Sequence, residues 1–172
     1  MSQLVKFNKD DFRFNQVKFV LKAIDQNSPK PFFQVLHSTG AKIVGTDSRR
    51  LHIANVPIPE GNYEILVNTR NKIILHESDE GFKFPNWEAV IPKDYKERVK
   101  EEFYYSEIGA LKFDRLLPEH CGLNLNFLSD LKGFSWNAYI DTTPENFNAV
   151  VFEAGDLMAV IMPIRLRESE TL

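Results

Sequence analysis

Apolar residues near the start of the chain recur with a helical spacing and then switch to an extended one. Phe12, Val17, Val20, Leu21 and Ile24 fall on one face of a helix over 12–24, with Lys18 and Lys22 on another. Asp10 or Asp11 suits the N-cap, and Asn27-Ser28-Pro29 ends the element. Short extended runs follow at 32–37, 41–44, 51–57, 63–67, 72–76 and 82–84, separated by turn residues. Ser38-Thr39-Gly40 and Asp79-Glu80-Gly81 mark two hairpins, and the polar link 68–71 is too short to hold a helix. Thr46-Asp47-Ser48 forms a polar corner between two strands, with hydroxyls and a carboxylate suited to bonding their own backbone.

The second part repeats this style after an irregular, proline-bracketed passage at 84–92. Residues 93–102 form the densest charge run. Its signs nearly cancel, so it reads as a solvated linker or short exposed helix. A short strand is expected at 110–113. A helix follows at 124–133, with Leu125, Leu128 and Leu131 inward and Gly133 at its C-terminal cap. Strands at 134–141, 149–154 and 157–164 complete the pattern, the last two joined by the tight Ala154-Gly155-Asp156 turn. Helix followed by antiparallel strands thus occurs twice. The expectation is an α+β protein, one domain over 1–172 built from pseudo-repeated halves at about 1–92 and 108–166.

Composition narrows the function classes. The 172 residues can bury a sizeable core, and 14 phenylalanines predict that aromatic packing fills it. A formal net charge of −3 argues against a protein held to nucleic acid by bulk charge, while leaving a local basic face open. The single cysteine, Cys121, excludes an internal disulfide. No signal-like apolar segment follows Met1, and no run approaches the roughly 18 apolar residues of a membrane span. A soluble, cytoplasmic protein without a membrane partner is expected.

No catalytic constellation emerges. Phosphate-loop, dinucleotide-binding and nucleophile-elbow motifs are all missing from the sequence. His37, His52, His76 and His120 are scattered without metal-ligand spacing, and His120 beside Cys121 is a poor pair because adjacent side chains seldom aim at one ion. Asp47 reads as a turn-former. No catalytic residue, metal or cofactor is expected, and the protein is not read as an enzyme.

Four stretches, in order, carry a resemblance. Met162-Pro163-Ile164-Arg165-Leu166 resembles the strand ending in Met-Pro-Met-Arg-Leu that closes the bacterial DNA polymerase III β subunit, the sliding clamp. Thr46-Asp47-Ser48-Arg49-Arg50-Leu51 is similar to that family's Thr-Asp-Gly-His-Arg-Leu turn. The passage 84–92 is similar to its Phe-Pro-Asp-Tyr-Arg-Arg-Val-Leu-Pro, and Asn126-Phe127-Leu128-Ser129-Asp130-Leu131 to a helix of its last domain. Ser48 and Arg49 stand where the family has glycine and histidine. No stretch matches the family's first domain. A second helix of the middle domain reads as replaced at 68–72, and the first helix and strands of the last domain as lost at 93–108.

The resemblance implies a DNA clamp-like fold and an accessory role in DNA replication or repair. Its partners would be clamp-binding peptide motifs of polymerase, clamp loader or repair proteins. Position by position, it implies a peptide pocket of Thr46, Ser48, Arg50 and Leu51, with Pro85 and Val90, and with Val160, Met162, Pro163 and Ile164. Leu51, Val90, Met162 and Ile164 would form an apolar floor, and Thr46, Ser48 and Arg50 polar rim donors. Alternatively, the same apolar residues fill the protein's own core. Double-stranded DNA and a homo-oligomeric ring stay open. The candidates for DNA contact are Arg13, Lys18 and Lys22 on the first helix and Lys132 on the second, which also carries Asp130. The other open reading is a regulatory or structural module that docks on a clamp or its loader without encircling DNA.

Overall fold

Residues 2–166 are described by the structure, a computed structural model; the tail at 167–172 lies outside the described residues. The chain divides into two units, Met1–Asn86 and Trp87–Leu172. In the first, β1 (Leu4–Asn8) precedes α1 (Phe14–Leu21) and a 3-10 turn (Pro31–Phe33). Then come β2 (Leu36–Ser38), β3 (Ile43–Thr46), β4 (Arg50–Ala54), β5 (Gly61–Asn68) and β6 (Lys72–Glu77). The strands lie in the order β1-β6-β5-β2-β3-β4, each antiparallel to its neighbour. α1 buries Phe14, Val17, Phe19, Val20 and Leu21 and packs on β3 and β4. β5 passes to β6 across 69–71 with no helix, as the length of that link requires.

The second unit opens with 3-10 turns at Trp87–Val90 and Tyr95–Glu97. β7 (Val99–Tyr104), α2 (Glu107–Asp114), β8 (Cys121–Gly122), α3 (Leu125–Ser129), β9 (Ser135–Ile140), β10 (Val150–Ala154), β11 (Leu157–Ile161) and β12 (Ile164–Arg165) follow. Four strands run antiparallel in the order β11-β10-β9-β7, and β8 pairs with β12. The phenylalanine-rich composition finds its use here. Phe103, Phe113 and Phe152 meet with ring centroids 5.0–5.7 Å apart, and Trp136 stands edge-on to Phe152 while its indole donates to the Leu131 carbonyl at 2.8 Å.

Several sequence expectations change for identifiable reasons. α1 begins at Phe14 with Arg13 at the N-cap position and no side-chain cap. Asp11 instead accepts from the Arg13 backbone at 2.9 Å and from its guanidinium at 2.8 and 3.0 Å. That turn carries Phe12 out of the helical stripe, leaving it 87% exposed. The run at 32–37 is a proline-started 3-10 turn before a strand of only three residues. Residues 82–84 form no strand, so 79–81 closes no hairpin; buried Phe84 instead stacks its ring on His37 at 4.4 Å.

In the second unit, the charge run expected to be a linker contains strand β7, whose Val99-Lys100-Glu101-Glu102-Phe103-Tyr104 buries only Phe103. An outer strand tolerates charge on its open positions, which is why composition disguised it. The strand expected at 110–113 is helix α2. Ser106 caps it by accepting from the Gly109 backbone at 2.9 Å, and Ala110, Phe113 and Leu117 turn inward with helical spacing. The stretch read as lost therefore holds strand β7 and the start of helix α2. Leu125, expected inward, is 44% exposed, whereas Leu128 and Leu131 are fully buried. The strand expected over 157–164 breaks at Met162-Pro163. Proline has no N–H for the ladder, so β11 stops at Ile161 and the chain re-pairs as β12 with β8.

Candidate functional site

The β3–β4 hairpin closes on a turn held by several local hydrogen bonds. Thr46 pairs with Leu51 across the ladder, and the Thr46 hydroxyl donates to the Arg50 carbonyl at 2.7 Å. The Asp47 carboxylate accepts from the Arg49 and Arg50 backbones at 2.9 and 3.0 Å. These bonds hold Ser48 at φ +76°, the left-handed region that favours glycine, with its side chain exposed. Side-chain–backbone bonding of this kind is what the Thr-Asp-Ser sequence predicts.

Arg50 is less available than a rim donor needs to be. Its Nε lies 3.2 Å from Asp47 Oδ2, and its terminal nitrogen donates to the Lys22 carbonyl at the end of α1. Two neighbouring contacts tighten the same junction. A Cβ at Gly45 would lie 2.7 Å from the Val20 carbonyl oxygen. His52, wholly buried, places Nδ1 2.8 Å from the Phe19 carbonyl and stacks on the Phe19 ring at 4.2 Å.

Because that carbonyl can only accept, His52 Nδ1 carries the proton, and Nε2 is buried without a partner among the described residues. Burial, with smaller contributions from the Arg50 and Lys22 charges, outweighs the Phe19 hydrogen bond and pushes the imidazole down to about 3. His52 is therefore a neutral tie between β4 and α1. Sequence reasoning missed this role; a histidine inside the apolar run of β4 is the signal that pointed to it.

The remaining pocket candidates divide by unit. In the first, Leu51 is buried beneath the turn and Pro85 is exposed near the unit's end. In the second, Val90 is 47% exposed on its 3-10 turn, Val160 is buried in β11, Pro163 is buried, Met162 is half-buried and Ile164 is 50% exposed on β12. Leu51, Val160 and Pro163 thus sit in the interior, as the core alternative expects. Val90, Met162 and Ile164 retain accessible apolar surface.

β12 rests on a second ordered loop. Burial raises the Asp141 carboxyl, but hydrogen bonds from Asn148 at 2.6 Å, the Thr143 backbone at 3.0 Å and Asn146 at 2.9 Å outweigh it and hold the group well below the usual carboxylate range. The loop's Phe147 ring receives the Arg165 guanidinium at 5.0 Å. Tyr95 donates to Glu153, and burial followed by that carboxylate drives its phenol far above the ordinary range. Both groups are structural ties that the sequence did not disclose.

The proposed DNA contacts are uneven. Arg13 is paired with Asp11 at 2.8 Å, and Lys18 donates to Asn68 while burial, then the Lys22 charge, lowers its ammonium. Lys22 and Lys132 are exposed. Among the described residues, no group of three or more His, Cys, Asp or Glu is placed to hold a metal ion, and no helix is long and apolar enough to cross a membrane.

No protein-family model matches the chain, and no curated protein matches it in sequence. Solved structures do. The DNA polymerase sliding clamp of Pseudomonas aeruginosa aligns with a TM-score of 0.60 at 14% identity, covering 95% of this chain and 66% of that one. The Helicobacter pylori β clamp bound to a DNA ligase peptide aligns with a TM-score of 0.60 at 13% identity, covering 95% and 66%. The Bacillus subtilis DNA polymerase sliding clamp gives 0.59 at 12%, covering 96% and 65%. At such identities the likeness carries the fold: this chain has the fold of the DNA polymerase III β sliding clamp, and it spans about two thirds of those clamps' length.

Proposed function

We propose that the protein is a clamp-fold accessory factor of DNA replication or repair that works by binding short peptide motifs of partner proteins, not by catalysis. The observation that carries this reading is the Thr46–Arg50 turn, an exposed, left-handed Ser48 held by a dense set of local bonds. Strained, over-determined turns cluster at binding sites. The Helicobacter pylori neighbour, a clamp bound to a DNA ligase peptide, supports peptide recognition as a use of this fold. Thr46 and Ser48 are the turn's polar contacts to a peptide backbone, with Arg50 fixing the turn through Asp47 and Lys22. Within the second unit, and as a surface of its own, Val90, Met162 and Ile164 supply accessible apolar area for a partner's leucine or phenylalanine, methionine adapting to its shape. Leu51 lies in the interior of the first unit, where Pro85 is exposed, and Val160 and Pro163 lie in the interior of the second.

The alternative, a regulator that docks on a clamp or loader without encircling DNA, is favoured by one observation: Arg13 and Lys18 are engaged within their own unit. The outer edges of β1 and β7, each of which pairs with one neighbouring strand, are the edges through which self-association would run. Titration of the 15N- and methyl-labelled chain with a synthetic polymerase-type clamp-binding peptide tests the main reading. Shifts at Ser48, Met162 and Ile164 are expected. Unchanged spectra at millimolar peptide would sink it.

A further inference from the structure

Helix α2 carries a surface that none of the foregoing roles uses. Its inward stripe is Ala110, Phe113 and Leu117, at 2%, 4% and 9% exposure. The opposite stripe, at i, i+3, i+4 and i+7, is Ile108, Leu111, Lys112 and Arg115. Ile108 is 69% exposed and Leu111 53%, and Leu125 of α3, which packs on α2, adds a third aliphatic group at 44%. Lys112 and Arg115 are exposed too, and neither is ion-paired with a described residue. Glu107, in the first turn, complements the helix dipole.

α1 is the internal comparison. It also buries one face, yet its outward positions Asn15, Gln16, Lys18 and Lys22 include no large apolar side chain. An exposed aliphatic stripe is therefore no requirement of a helix in this setting.

Aliphatic groups flanked by cations complement a ligand that is itself apolar along one stripe and anionic beside it. We propose that the outward face of α2 docks an acidic amphipathic helix from a partner protein. Such a segment lays leucine-type anchors on Ile108, Leu111 and Leu125, with carboxylates against Lys112 and Arg115. Two rivals fit less well. Duplex DNA offers phosphates to the cations but nothing to the aliphatic groups. A second copy meeting this face with its own would set Lys112 and Arg115 against the same cations. The inference is independent of the peptide surface proposed above.

Fluorescence anisotropy of the full chain tests it, with a labelled synthetic peptide carrying leucine on one helical face and glutamate on its flanks. A peptide with lysine replacing each glutamate is the control. The acidic peptide is expected to bind with an affinity that falls as salt rises, and the control to show none. Leu111→Gln and Lys112→Glu should each weaken binding roughly tenfold or more. Both sites are exposed, so unchanged thermal melting of the variants would establish an intact fold. Equal binding of both peptides, or acidic-peptide binding indifferent to Leu111→Gln, overturns the proposal. So does self-association of the wild-type chain abolished by Leu111→Gln, or duplex DNA binding lost in Lys112→Glu with no peptide bound.

Discussion

α1 and α2 each bury one face within their own unit, and they are secured by opposite means. α1 lacks a side-chain N-cap and is fixed at its other end: the Phe19 and Lys22 carbonyls accept from His52 and Arg50, and the Val20 carbonyl closes over Gly45. α2 is fixed at its start by Ser106 and inside by Phe113 in the Phe103–Phe152 cluster. The outward faces differ to match, polar on α1 and apolar with cations on α2. Repeated architecture does not bring repeated surface chemistry. Here one helix is tied to the hairpin bearing the candidate peptide-contacting turn, and the other is left with an accessible face of its own.

The largest effect, summed over the whole titration from pH 6.5 down to the folded value, should come from acid acting on the α1 tie. The folded His52 value, about 3, lies below the ordinary 6.5. Its stabilisation is therefore complete above pH 6.5 and is lost as pH falls toward the folded value. Between pH 6.5 and about 5, where ordinary carboxylates barely titrate, unfolding free energy should drop by about 1 kcal/mol per pH unit on average, more steeply toward the acid end. Urea titrations across that range measure it, and the His52→Gln variant should lose this contribution to the slope. Next, Gly45→Ala should destabilise by about 2–3 kcal/mol, since a Cβ there meets backbone oxygen. A neutral result would mean that α1 is not clasped at Gly45.

On the other helix, Ser106→Ala should cost about 1 kcal/mol by removing the N-cap of α2, read as a shift in the denaturation midpoint. The smallest effect is of opposite sign. Ser48→Gly should stabilise the first unit by about 0.5 kcal/mol, because relief of the left-handed strain exceeds the entropy that glycine adds to the unfolded chain. Destabilisation would show that the Ser48 side chain contributes more to the turn than its backbone strain costs.

What was legible in the sequence follows from where the determinants are local. The Thr46–Arg50 turn could be read because Thr46 and Asp47 bond residues two to four positions away. The start of α3 was legible for the same reason, since Asn124 caps it. The helix ends at Ser129 with Asp130 at its C-cap, so Gly133, at φ +95°, belongs to the turn that follows and not to the cap expected there. α2 was missed because Ala110-Leu111-Lys112-Phe113 is too short a window to separate a period of 2 from 3.6; Ser106 and Leu117 complete the helical pattern. β7 was hidden by charges that an outer strand tolerates, and β1 by having no turn signal before it. Among candidate site residues, Arg50 looked like a free rim donor because its partner, the Lys22 carbonyl, lies 28 residues away. Leu51 looked like open floor, and Val160 like a pocket residue, because sequence cannot separate an apolar surface from a core.

We propose that peptide recognition uses a surface other than the outward face of α2. Calorimetric titration of a clamp-binding peptide into the wild-type chain, Ile164→Glu and Leu111→Gln tests it in one comparison. Binding to wild type and to Leu111→Gln, with a loss of roughly tenfold or more in Ile164→Glu, is the predicted result. Equal binding by all three chains, or a loss only in Leu111→Gln, would contradict it.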